Sequence, residues 1–417
     1  MQLIDGRHWL EFEVPRITLD SVTLCSIVVG LREFYRWRML IHQIPADQLG
    51  SRVLCVLACR WTEYCTTMAA RPIGAANIRS AWRRVAFPEI GMKKVHGFLL
   101  VLASVLSLIL EPARLEAQAP KFDAFFVFGD SLSDTGNLWL LTKAAGQDPA
   151  VPPSVSPHTT YFNGRFSNGP VAFEYLWDLM NSKAGVSVTP FLSRLKVPQK
   201  GAVSFAFGPS GTGFIEPAGP LFVPGLNGQV ELFGTALRGK KSPPRALYAI
   251  FSGANDYLAA SADNPPVPPV VVGNIVKAIQ KLYALGARDV MVLNLPDLGL
   301  IPLVPAGPLK ETMSQLTLAH NYLLDQALNA LAASLPDLRL IPVDVYTFTN
   351  GLAAQQGTDL TPALSFPDSY CLFTAPATCP NVGTFDVDPN FFFWDAEHPT
   401  TATHAALGDF LYSKLVQ

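Results

Sequence analysis

Charge is what this sequence has least of. Only 15% of its 417 residues are Asp, Glu, Lys or Arg, and the net charge is -2. That balance excludes a nucleic-acid binder, which needs a basic face, and makes a polyanionic substrate a poor match. Several signatures are missing as well. No G-x-S-x-G occurs, so the nucleophile turn of the α/β-hydrolases is absent. Nor is there a P-loop, a G-x-G-x-x-G or an H-E-x-x-H, which removes the common nucleotide and zinc readings. No internal repeat is present, and the 35 Pro and 30 Gly are scattered without a period, as in a loop-rich globular protein.

No apolar run is long enough to span a bilayer comfortably. The longest, Gly97 to Leu110, is uncharged and 14 residues long, the length of a signal-peptide core. Met92-Lys93-Lys94 stands before it and Ala117-Gln118-Ala119 follows as a small-x-small cleavage signal. Residues 92–119 therefore read as a leader, and residues 1–91 as an upstream extension from a mis-chosen start. That segment has 11 Arg and no Lys, and holds Cys25, Cys55, Cys59 and Cys65 without zinc-ligand spacing. Its alternative is a real small domain followed by a membrane anchor. With the leader removed, the expected product is secreted or periplasmic, and its two cysteines, Cys371 and Cys379, are expected to form a local disulfide.

From residue 120 onward, short apolar runs alternate with helical periodicity. Phe125–Phe128, Ala246–Ser252, Asp289–Leu295 and Leu338–Val345 predict buried parallel strands, and Ala202–Phe207 a weaker one. Helices are predicted over Pro170–Asn181, Val270–Leu285, Leu309–Leu335 and Thr400–Leu415. The alternation implies right-handed crossovers and a three-layer α/β/α sandwich with a mostly parallel sheet. In such sheets chemistry sits in loops at the carboxyl ends of strands, here after Phe128, Phe207 and Phe251, and in the loop before Thr400.

Short motifs in those loops decide little alone. Gly129-Asp130-Ser131 reads equally as a helix cap, Asp395 and His398 as a surface pair, and Asn255-Asp256 as an Asx turn. The longer strings decide more. Phe128-Gly129-Asp130-Ser131-Leu132-Ser133-Asp134-Thr135-Gly136-Asn137 resembles the first block of the SGNH/GDSL hydrolases. Arg165-Phe166-Ser167-Asn168-Gly169 matches a segment seen downstream in these lipases, Ser252-Gly253-Ala254-Asn255-Asp256-Tyr257 looks like their third block, and Phe393 to Thr400 (FWDAEHPT) like their last. The ordered matches span Phe122 to the C-terminus.

The resemblance implies a flavodoxin-like sheet, no cofactor or metal, and cleavage of a small-molecule or lipid ester, with transient contact to a lipid surface left open. It implies Ser131 as nucleophile, His398 as base, Asp395 as orienting acid, and Ser131 and Asn255 as oxyanion donors. Elementary chemistry agrees: a serine hydroxyl needs a base, and an imidazole serves best when a carboxylate holds its tautomer. None of His158, His320 and His404 has a comparably placed acid. Ser204 to Ser210 departs from the family pattern, because Pro209 stands where a glycine is usual and has no N–H. Gly208, or after a local shift Gly211, is then the expected third donor. A sugar O-acetyl esterase, a phospholipase or acyltransferase, and a binding protein that has lost turnover are the alternatives. The apolar loops Ile301–Pro308 and Ala218–Gly225 lean toward lipid or aliphatic esters, and Phe391, Phe392, Phe393 and Trp394 are candidates for an acyl pocket or for core.

Overall fold

The computed structural model describes residues 122–181, 187–259, 267–383 and 387–416, together with the backbone of residues 3–4 and 7–8. The chain divides into two units, Met1–Glu111 and Pro112–Gln417. In the first, Leu3–Ile4 pairs antiparallel with Arg7–His8. The expectations of an upstream extension over 1–91 and a leader over 92–119 otherwise lie outside the described residues.

Strands of the second unit run in chain order as β1 (Ala124–Gly129), β2 (Val188–Pro190), β3 (Gly201–Ser204), the hairpin β4 (Ile215–Ala218) and β5 (Leu221–Pro224), β6 (Ala246–Phe251), β7 (Asp289–Leu293), β8 (Arg339–Val343), β9 (Asp359–Pro362) and β10 (Phe391–Phe393). The helices are α1 (Asn137–Ala144), α2 (Ala172–Asn181), α3 (Leu226–Ala236), α4 (Ala254–Leu258), α5 (Pro268–Leu285), α6 (Pro308–Ser334), α7 (Val345–Ala353), α8 (Cys371–Thr374) and α9 (Thr401–Leu415). Six strands form a wholly parallel sheet in the order β8-β7-β6-β1-β3-β2. Apart from the edge strand β2, this is the flavodoxin-like order.

The pleat of β1 explains the layers, since alternate side chains point to opposite faces. Ala124, Phe126 and Phe128 pack with α3, α5 and α6, whereas Phe125 and Val127 pack with α2, α7 and α9. A strand buried on both faces must be apolar throughout, as AFFVFG is. Neighbouring strands depart to either side of β1, so β1 and β6 bound the switch point where a crevice opens at the strand ends.

Differences from the sequence reading have local causes. The strand expected over Ala202–Phe207 stops at Ser204, because Asn137 Nδ2 donates to Ser204 O and Ala206 O and draws the chain off the sheet. The last helix begins at Thr401, one residue after the predicted Thr400, which instead caps it. The hairpin β4–β5, the pair β9–β10, the edge strand β2 and helices α1, α3 and α7 escaped the sequence pattern. Among the described residues, no helix is long and apolar enough to cross a membrane.

Phe233 anchors one core, fully buried against Phe126, Phe128, Phe205 and Tyr248. Phe233→Ala is expected to lower the unfolding free energy by about 3–5 kcal/mol, read from urea denaturation. A loss below about 1 kcal/mol would contradict this packing.

Candidate active site

Ser131 follows β1 in a tight turn whose geometry is set before any helix begins. At Gly129 a Cβ would lie 2.1 Å from Phe251 O, so the close approach of β1 and β6 admits only glycine. The Gly129 peptide is gripped from α3: its N–H donates to Gln229 Oε1 at 2.9 Å, and Gln229 Nε2 donates back to Gly129 O at 2.8 Å. Asp130 Oδ1 accepts from Leu132 N–H at 3.1 Å. Asp134, fully buried, accepts from the N–H groups of Gly136, Asn137 and Leu138 and so caps α1. Burial lifts Asp130 to about 7 and Asp134 to about 6, against the pull of the N–H groups that each accepts.

The acid and base come from one loop between β10 and α9. Asp395 Oδ1 accepts the N–H groups of Glu397 and His398 at 2.8 and 2.7 Å, which folds the loop so that His398 Nδ1 lies 2.8 Å from Oδ2. Tyr161, also buried, donates its hydroxyl to Oδ2 at 2.7 Å. Phe166 and Phe373 pack against the imidazole with ring centroids 5.1 and 5.9 Å away. The rest of the 165–169 segment holds the loop from behind: Ser167 Oγ donates to Pro399 O, and Asn168 Oδ1 accepts from Thr401 N–H. A disulfide joins Cys371 to Cys379 and packs with Tyr161 and Trp394 behind Asp395. Burial opposes charging of His398, but Asp395, with smaller help from Glu397 and Asp130, raises its pKa above the ordinary 6.5. Among the described residues, the other two buried histidines go the opposite way. Burial lowers His320 to about 4 and His404 to about 3.

Two of the three expected oxyanion donors, Gly208 and Asn255, hydrogen-bond within the protein. Gly208 N–H donates to Asp134 Oδ2 at 3.1 Å, so the expected third donor is already engaged. Gly211, its substitute, borders neither of the two cavities described below. Asn255 Nδ2 donates to Gly208 O at 3.2 Å and to Ser210 O at 3.1 Å, bracing the loop that contains Pro209. Asp256 completes the brace by accepting from Thr212 N–H and Oγ1. Among the described residues, the Ser131 N–H has no acceptor.

Ser131, Gly208, Asn255 and His398 all border one cleft of about 700 Å³. On its other side Ser131 borders a narrow second cavity of about 70 Å³, walled by apolar residues such as Leu132, Leu298, Ile301, Phe348 and Phe392. Of the four aromatics from Phe391 to Trp394, Phe392 and Phe393 line this cavity and Trp394 is core. Ser131 Oγ and the His398 ring share the wide cleft without a direct hydrogen bond among the described residues. Tyr161, Gln229 and Asp134 are the contributors the sequence reading missed. No cluster of metal-ligating side chains occurs among the described residues.

Comparison with known proteins finds relatives over most of the chain. The phosphatidylcholine-sterol acyltransferase of Aeromonas hydrophila is 25% identical over 343 residues, covering 73% of this chain and 93% of its own. A GDSL esterase/lipase of Arabidopsis thaliana is 26% identical over 337 residues, covering 71% and 90%. The acetylxylan esterase Axe2 of Geobacillus stearothermophilus is similar in structure with a TM-score of 0.36 and 11% identity, over 72% of this chain and 96% of that one. The family model for GDSL-like lipases/acylhydrolases matches residues 125–411, and the chain belongs to that family.

Proposed function

We propose that this protein hydrolyses carboxylic esters through an acyl-serine intermediate, with lipid or aliphatic esters as substrates. The observation that carries the reading is the 2.8 Å contact of buried Asp395 with His398, which borders the same cleft as Ser131. With Nδ1 turned to Asp395, Nε2 is the nitrogen left to take a proton. In the reaction, Ser131 Oγ attacks the ester carbonyl carbon while its proton passes to His398 Nε2. The carbonyl π electrons move to oxygen, the C–O bond to the alcohol breaks, and His398 returns the proton to the departing alkoxide. Water then repeats the sequence on the acyl-serine, releasing the acid. Catalytic hydrogen bonds are often long in ligand-free enzymes and tighten with substrate bound, which suits the open Ser131–His398 arrangement.

Ser131 N–H is the donor best placed for the oxyanion. Asn255 joins it by exchanging one of its two carbonyl partners for the developing negative oxygen, a contact typically worth about 3 kcal/mol. The narrow apolar cavity beside Ser131 supports an aliphatic acyl group, while the wide cleft, with Thr142, Gln147 and Asp148 on its wall, suits the alcohol side. A second reading is a binding protein with impaired turnover. It is favoured by the engagement of the Gly208 N–H and the Asn255 amide, together with the missing N–H at Pro209. Removal of a leader over 92–119 and export are part of the proposal, supported by the Cys371–Cys379 disulfide, which persists in oxidising compartments.

A fluorophosphonate probe and a panel of p-nitrophenyl esters against acetylated sugars test the reading. Wild-type protein is expected to label and to prefer aliphatic esters. Ser131→Ala should lose both labelling and about 10⁴- to 10⁶-fold in turnover. Unchanged activity in that variant refutes the nucleophile, and absence of labelling in the wild type favours the binding protein.

A base must be neutral to act, so kcat/KM should fall as pH drops through the raised pKa of His398, above 6.5. Glu397 contributes negative charge that stabilises the imidazolium; Glu397→Gln removes it, and the acid limb should move to lower pH with the plateau retained. A limb that stays in place, or moves to higher pH, contradicts this electrostatic account.

A further inference from the structure

A hairpin in water ordinarily turns polar side chains outward. The hairpin β4–β5 does not. Its register sets Ile215 opposite Pro224 and Pro217 opposite Phe222, so these four share a face. Ile215 is 63% exposed and Phe222 67%, and Phe214 just before the hairpin is 63% exposed. The opposite face is the packed one, where Val223 lies against Leu138, Phe166 and Phe207. Glu216 sits on that inner face; it is the one charged residue between Lys200 and Glu231. A contiguous apolar surface of this kind marks an interaction site.

Two further observations identify the partner. The tip of the same hairpin, Pro217 to Pro220, borders the cleft that contains Ser131 and His398, so whatever covers the outer face sits at the mouth of the cleft. Residues 201–237 contain no Lys or Arg, so the hairpin and its flanking chain supply none of the basic groups that draw proteins to anionic lipid. We propose that the outer face of β4–β5 docks on a neutral or zwitterionic lipid aggregate and holds the cleft against it. Phe214, Ile215 and Phe222 enter the acyl boundary as an apolar patch, and an ester then passes from the aggregate to Ser131 without crossing bulk water. This rests on the ester-hydrolase reading for its purpose, though not for the binding itself.

The test uses the whole chain, phosphatidylcholine vesicles, phosphatidylglycerol vesicles and a short water-soluble p-nitrophenyl ester. Wild-type protein should sediment with phosphatidylcholine vesicles. Ile215→Ser/Phe222→Ser should lose that partitioning at least about tenfold, yet keep turnover of the soluble ester, because neither residue borders the cleft. Ile215→Leu/Phe222→Leu should restore it. The proposal is overturned if wild type and serine variant sediment alike, if neither sediments, or if only phosphatidylglycerol is bound. It is equally overturned if wild type is a dimer in ultracentrifugation that the serine pair dissolves, since the face then belongs to a second copy. Loss of soluble-ester turnover in the wild type, with vesicle partitioning intact, would strike the hydrolase reading and leave the docking surface standing.

Discussion

A carboxylate removed from water must find a donor for its lone pairs or lose its charge, and Asp395 finds four: two backbone N–H groups of its own loop, the Tyr161 hydroxyl and His398 Nδ1. The two local N–H bonds shape the turn, and the turn brings Nδ1 to the carboxylate. Everything around the loop serves that turn. The 165–169 segment ties it to α9, the disulfide and Trp394 back it, and Thr400 starts the helix that carries its far end into the core. The interaction is thus both a structural requirement of the loop and the electrostatic source of the raised His398 pKa.

The other half of the site obeys a different constraint. β1 and β6 approach so closely at Gly129 that the turn into Ser131 can be held only through its backbone, and Gln229 does so from 100 residues away. The neighbouring 208–212 loop is pinned by Asp134, Asn255 and Asp256. Two of the groups expected as oxyanion donors, the Gly208 N–H and the Asn255 amide, are in the folded chain occupied in this bracing. A donor engaged in this way loses availability for an oxyanion and gains rigidity for its neighbours. In the proposed reaction, charge stabilisation would then fall mainly on Ser131 N–H and on Asn255 once it releases one of its two carbonyl partners.

Much of the fold could be read from the chain because its central strands are buried on both faces and must be apolar runs. The long helices α5 and α6 show clean periodicity. The hairpin β4–β5 could not be read: Pro217, Pro220 and Pro224 and the flanking glycines mimic a loop, and its outward face is apolar against the usual alternation. In α3, Gly228 and Gly234 weaken the helical signal. At the site, the contact of Asp395 with His398 and the position of Ser131 just after β1 were legible because the first two lie in one short loop, the third follows an apolar run, and both places fall in longer strings resembling the family's blocks. Tyr161 and Gln229 were not, since their partners lie 234 and 100 residues away and no local pattern announces them. Gly208 looked like a free donor for the same reason: the competing acceptor, Asp134, is adjacent only in space.

The central claim is that Asp395 holds the imidazole of His398 through Nδ1. Proton NMR of the folded protein, recorded below the His398 pKa, tests it without reference to any substrate. The account predicts an Nδ1–H resonance well downfield of the backbone amides that disappears in Asp395→Asn. A folded wild-type spectrum without that resonance, or one in which it survives the substitution, would contradict it.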